Sequence, residues 1–230
     1  MNAKYGIAGA VVIVGLLNTA AAYALSCPIS PTGPAQLVIR LEAAPVSVRT
    51  DLDRTALSVL AGGVGLPAGS ESAALGGGRG QVMGLTVANY AVEYEAEHQT
   101  LSAEHGHWCS RISRVTARLF IPETTIYVAS DYAADSCAYS HILVHEHQHV
   151  AITEAALQAA GPRLETQLRK LADSPLVLAT PAAAEAAADD AFTRSVQTFM
   201  ATLGETTRRA NLSIDTPANY RKVASNCRTW

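Results

Sequence analysis

The chain has 230 residues, 49% hydrophobic, 6% aromatic and 16% charged, and its 17 Lys+Arg against 20 Asp+Glu give a net charge of −3. That length suffices for one sizeable core, and so apolar a composition excludes wholesale disorder. The near balance of charge excludes a basic nucleic-acid face, so no nucleic-acid partner is expected. Lys4 precedes an apolar and small run over 6–17, and Ala22-Tyr23-Ala24 has the small-x-small pattern of a signal-peptidase site. Residues 1–24 therefore read as a signal peptide and 25–230 as a single exported domain, periplasmic or secreted. No stable membrane insertion is expected after cleavage, although an uncleaved span over 5–25 is the alternative.

Export into an oxidising compartment suggests disulfides among Cys27, Cys109, Cys137 and Cys227. Three connectivities are possible; Cys109–Cys137 and Cys27–Cys227 are favoured. Residues 37–41 and 45–50 read as short strands. Asp51 is placed to cap a helix over 52–61, which Gly62-Gly63 would end. The glycine-rich stretch 62–80 reads as a surface loop. Apolar and polar residues alternate over 81–97, as in one half-buried strand. Then come a polar turn over 98–107, strands over 108–121 and 125–129, and a turn over 131–135. From Cys137 to Ala160 helix formers dominate until Gly161-Pro162, which should end that helix before a second over 163–172. An Ala-rich helix over 182–211, with a possible interruption at Gly204, precedes a C-terminal segment over 215–230. Strands first and helices later make the class α+β, with an N-terminal, mostly antiparallel sheet packed on the helix of 137–160 and on the long C-terminal helix.

All seven histidines lie between His98 and His149, and two of them have a mechanistic spacing. His145-Glu146-His147-Gln148-His149 is an HExxH pattern inside a predicted helix. Residues four apart are about 40° apart around a helix axis, so both imidazoles project from one face and can take adjacent corners of a zinc site. Glu146 lies beside that face, where it can act as general base on a zinc-activated water. His141 shares the stripe, but the pair 141/145 has Ile142 in place of the glutamate. His147 faces elsewhere. His98, His105 and His107 read as part of a polar turn.

The motif and the strands before it resemble the zincin metallopeptidases. Cys137-x-Tyr139 followed by His145-Glu146-x-x-His149-Val150 more closely resembles a bacterial family of predicted secreted zinc-dependent proteases of unknown function. The resemblance implies a sheet over the active-site helix, Zn2+ as cofactor, His145 and His149 as metal ligands, and Glu146 as general base. The third ligand stays open. Glu185-x-x-x-Asp189 resembles the ExxxD pattern of thermolysin-like zincins and makes Glu185 the first choice. Glu154, Asp215 and Tyr220 are the others, and Tyr220 is also a candidate catalytic hydroxyl near the oxyanion. The expected function is peptide-bond hydrolysis on a peptide or protein substrate, which an edge strand at 125–129 would hold by backbone pairing. The alternative is a non-catalytic metal-binding or structural cell-envelope protein.

Overall fold

A computed structural model describes residues 34–63, 82–228 and 230. The signal-peptide segment, Cys27 and most of the glycine-rich stretch lie outside the described residues. Strand β1 (Gln36–Ala43) pairs in parallel with β5 (Trp108–Ile121), and β4 (Ala91–Ser102) pairs antiparallel along the other side of β5. The short strand β7 (Leu176–Leu178) completes this sheet against the first residues of β5. A second sheet has the order β2 (Val46–Arg49), β6 (Thr124–Val128), β3 (Gly84–Ala88), with β2 parallel and β3 antiparallel to β6. Helices α1 (Arg54–Gly63), α2 (Cys137–Ala172), α3 (Pro181–Ile214) and α4 (Pro217–Ala224) complete a mixed α+β fold.

Four expectations are corrected. There are two sheets rather than one, because the alternating run 81–97 breaks at Asn89-Tyr90 into β3 and β4, which join different sheets. Alternation records which face is buried and not which strand is the neighbour. Strand β6 is the centre of its sheet and not an edge; β3 is the edge on the α2 side. The α1 cap is Asp53, whose carboxylate accepts from the Ala56 amide at 2.8 Å, while Asp51 is held by Arg49. Finally, Gly161-Pro162 does not end α2, which runs on to Ala172.

The last correction has a packing cause. The first half of α2 lies on the small sheet, with Ile142 and Val150 against Ile126 and Val128. Its second half lies on the large sheet, where Leu157, Ala160, Leu164 and Leu168 join Val115, Ala117, Leu119, Phe192 and Val196 in the main core. Interior proline costs roughly 3 kcal/mol, whereas each fully buried leucine returns about 1.5–3 kcal/mol, so continuing the helix wins. Gly161 lets Leu41 pack close at that crossing, since a Cβ there would stand 2.8 Å from Leu41 Cδ1 and the leucine tip would have to shift.

The later helices start on local signals. Ser136, Thr180 and Thr216 accept from the amides of Tyr139, Ala183 and Asn219, and proline opens α3 and α4. Helix α3 continues through Gly204 and runs back antiparallel to α2. Gln167 donates to Ser195, and the Tyr90 hydroxyl bridges the Thr153 carbonyl and Thr207 Oγ1, each at 2.9 Å. Moving four residues forward on α2 moves the contact four residues back on α3. The end of α3 therefore lies against the HExxH turn. Among the described residues, no helix is long and apolar enough to cross a membrane.

Candidate metal centre

His145, Glu146 and His149 are 5%, 4% and 8% exposed on the inner face of α2. The antiparallel register then supplies their partners. Asn211 meets His149, its Oδ1 standing 3.1 Å from Nδ1. One turn later Asp215, the C-cap of α3, puts a single oxygen, Oδ1, 3.1 Å from His145 Nε2 and 3.0 Å from His149 Nε2. The Tyr220 hydroxyl donates to the same oxygen at 2.8 Å, and its ring lies 5.3 Å from that of His145. Strand β3 completes the surround. Gly84 and Thr86, two apart on one strand face, both face Glu146; Thr86 Oγ1 donates to Glu146 Oε2 at 2.8 Å. A Cβ on Gly84 would stand 2.5 Å from Glu146 Oε1, so only glycine lets the carboxylate lie against the strand.

Electrostatics follow from this crowding. Burial raises the Glu146 pKa, against the opposing pull of His149, His145 and the Thr86 hydroxyl. Burial would also raise Asp215, but the hydrogen bonds from His145 and His149 prevail and hold its carboxyl well below the usual range. Burial works to lower His149, yet Asp215 and Glu146 carry it up to about 9. The Asp215 pocket is thus a place where positive charge is stabilised.

One ligand atom each from His145, His149 and Asp215 lies within 4.8 Å of the others. Ligands at zinc-like bond lengths of about 2.0–2.2 Å and tetrahedral angles stand about 3.3–3.6 Å apart. The two Nε2–Oδ1 separations need to open by only a few tenths of an ångström to reach that spacing. Two imidazoles and a carboxylate converging on one point therefore fit a metal ion. Asn211 accepts from His149 Nδ1, which directs the Nε2 lone pair at that point. His145 Nδ1 is buried with no hydrogen-bond partner among the described residues.

The expected ligand set is redistributed. Glu185, the first choice for third ligand, sits near the start of α3 and accepts from Thr100 Oγ1 at 2.8 Å. It is about 45 Å along the helix axis from Asp215 at 1.5 Å per residue, so it cannot share a metal with His145 and His149. Asp189, its companion in the ExxxD pattern, pairs with His98 at 2.8 Å. Glu154 is outside the ligand-atom groups found among the described residues. Asp215 and Tyr220, weighed as alternatives, are at the centre. Thr86, Gly84 and Asn211 were not singled out by the sequence. Only Asn211 left a signal: Asn211-x-x-x-Asp215 repeats the four-residue spacing of the two histidines, one helix turn facing another.

The cysteines also differ from the favoured pairing. Cys137 is bonded to Cys227, so neither Cys109–Cys137 nor Cys27–Cys227 forms. Connectivity depends on which ends the fold brings together and not on spacing. His141 lies beside this pair, but sulfurs bonded to each other are not thiolate ligands. Cys109 is disulfide-bonded and fully buried. No family model, curated protein or solved structure matches the chain, so its own residues carry the functional reading.

Proposed function

We propose that the protein is an exported zinc-dependent peptidase of zincin-like arrangement, with His145, His149 and Asp215 as metal ligands and Glu146 as general base. The observation that carries this reading is the convergence of both Nε2 atoms and Asp215 Oδ1 beside a buried glutamate on the same helix turn. Three protein ligands leave the further position that a catalytic zinc site requires, and a nitrogen and oxygen donor set suits zinc. When bound, zinc would supply Lewis acidity, polarising a substrate carbonyl and acidifying a water.

The chain's own residues supply the rest. Glu146 takes the proton from the attacking water and returns it to the leaving amine. A carboxylate whose pKa is raised by burial suits both transfers better than an exposed one. Thr86 anchors Oε2 and leaves Oε1 for that traffic. Tyr220, once its hydroxyl turns from Asp215, can donate to the developing oxyanion. Strand β3 offers the sheet edge along which an extended peptide could pair. Export rests on the signal-peptide pattern of residues 1–24.

The test is metal analysis of the purified protein combined with hydrolysis of unfolded casein. Wild type is expected to hold stoichiometric zinc. Glu146→Gln should keep the metal and lose roughly 10²–10⁴-fold in rate, whereas His149→Ala should lose the metal. Absence of zinc from the wild type overturns the metal reading, and undiminished hydrolysis by Glu146→Gln overturns the mechanism.

A further inference from the structure

Helix α4 lies on the candidate metal centre and is tied down at both ends. Before its first turn, Asp215 is the point where the two histidine Nε2 atoms meet. Beyond its last turn, Cys227 is bonded to Cys137, the first residue of α2. Between these anchors Tyr220 is buried against His145. Tyr220 and Val223 wall one side of the hollow whose other sides are Met83, Gly84, Ile142, His145 and Glu146.

Eight residues are too few to hold a helix in place, since isolated helices shorter than about 12–15 residues are marginal in water. Tyr220 is the one buried residue of α4. The Tyr220 hydroxyl on Asp215 and its ring beside His145 hold the proximal half of α4, and the Cys227 link, with Asn226 Nδ2 3.4 Å from His141 Nδ1, holds the distal half. Among the described residues beyond Cys227, Trp230 Nε1 donates to the Ala224 carbonyl at 2.7 Å, which ties the tail to α4 itself, and its ring stands 6.3 Å from that of Tyr132. With both anchors in place α4 can only bulge; with the distal one cut it can swing outward about Asp215-Thr216.

We propose that α4 is a strap, latched by the Cys137–Cys227 disulfide, that closes the hollow beside His145 and Glu146 and governs access to the candidate metal centre from the His145 side. The purpose of this gate rests on the metalloenzyme reading above, but the closure is a property of the chain with or without metal. In an oxidising compartment the latch is shut. A dithiol reductant opens it by thiol–disulfide exchange: the dithiol becomes a disulfide, and its two electrons and two protons pass to the sulfurs of Cys137 and Cys227.

The test compares wild type with Cys137→Ala/Cys227→Ala in two assays. In the metal-free protein, carbethoxylation of His145 by diethyl pyrocarbonate is followed by mass spectrometry, with exposed His147 on the same helix as internal control. In the zinc-loaded protein, the rate at which a chelator removes zinc is measured. Unlatching should raise both rates at least about tenfold and leave His147 unchanged. Equal His145 rates in the two proteins overturn the strap. A wild type that takes up no zinc overturns the metal reading instead, and His145 labelling still decides the strap. If the double variant unfolds, metal-free wild type is reduced under limiting dithiothreitol and alkylated, and His145 labelling is scored only in molecules alkylated at Cys137 and Cys227 and not at the buried Cys109.

Discussion

Gly84→Ala perturbs the proposed general base without touching a proposed ligand. The added Cβ would stand 2.5 Å from Glu146 Oε1, 2.6 Å from Ile142 Cγ2 and 2.9 Å from Glu146 Cγ. Ordinary contact begins near 3.4 Å, so something must move by about 1 Å. Neither partner can give way cheaply: Glu146 is pinned by Thr86, Ile142 packs against Ile126 and Val128, and β3 is pinned to β6 from Gly84 to Ala88. Forcing a methyl into such packing costs roughly 1–3 kcal/mol. At about 2–4 °C per kcal/mol for a chain of this size, the melting temperature should fall by roughly 3–10 °C. A displacement of about 1 Å at the base should also cost on the order of 10²-fold in kcat/KM on casein. Zinc affinity, read by competition with a chromogenic chelator, should stay within a few-fold, because His145, His149 and Asp215 are not displaced. Gly204→Ala is the control of opposite sign: that glycine lies inside α3 with open space around its Cβ, so alanine should stabilise by about 0.5–1 kcal/mol. A Gly84→Ala protein that melts with wild type refutes the close approach. One that loses zinc while Glu146→Gln keeps it refutes the separation of base from ligands.

Asp215→Asn should weaken zinc binding by more than about 100-fold in chelator competition, beyond what loss of a supporting contact costs, while Glu185→Gln should leave it unchanged. The reverse pattern would return the third ligand to the start of α3. The pH dependence of the metal-free protein has a definite sign. His149 is raised to about 9 by Asp215 and Glu146 against the opposing effect of burial, from an ordinary value of 6.5. Its contribution is therefore fully present below pH 6.5 and lost as pH rises through about 9, a loss on the order of 3 kcal/mol. Thermal melts of chelator-treated protein should show stability falling across that window, and a flat profile would remove the His149–Asp215 ion pair. Because zinc requires a neutral imidazole, loading at pH 7 should release close to one proton from His149, measurable by calorimetry in buffers of different ionisation enthalpy.

The strands at 37–41 and 108–121, the helical nature of 137–160 and 182–211, and the pairing of His145 with His149 were all readable in the sequence. Each depends on residues one to four positions apart, a separation that backbone geometry converts directly into a shared face. The same local logic failed at Gly161-Pro162, where buried leucines on both sides of the proline outweighed its intrinsic cost. It failed again at Asn89-Tyr90, where an unbroken alternation crosses from one sheet to another.

What the sequence determined by itself was half of the candidate metal centre: two imidazoles held on one helix face, with a glutamate beside it, by a repeat of 3.6 residues per turn. The tertiary structure decided the rest. Asp215 and Asn211 face those histidines because α3 packs antiparallel on α2, in a register set by the apolar layer of Leu157, Leu164, Phe192 and Val196 and by the Tyr90 bridge. Glu185 is excluded by that same register, and the Cys137–Cys227 link by way of α4 follows from where it leaves the chain's end. Contacts between residues 60 to 90 positions apart are chosen by the packing of whole elements, which local spacing does not encode.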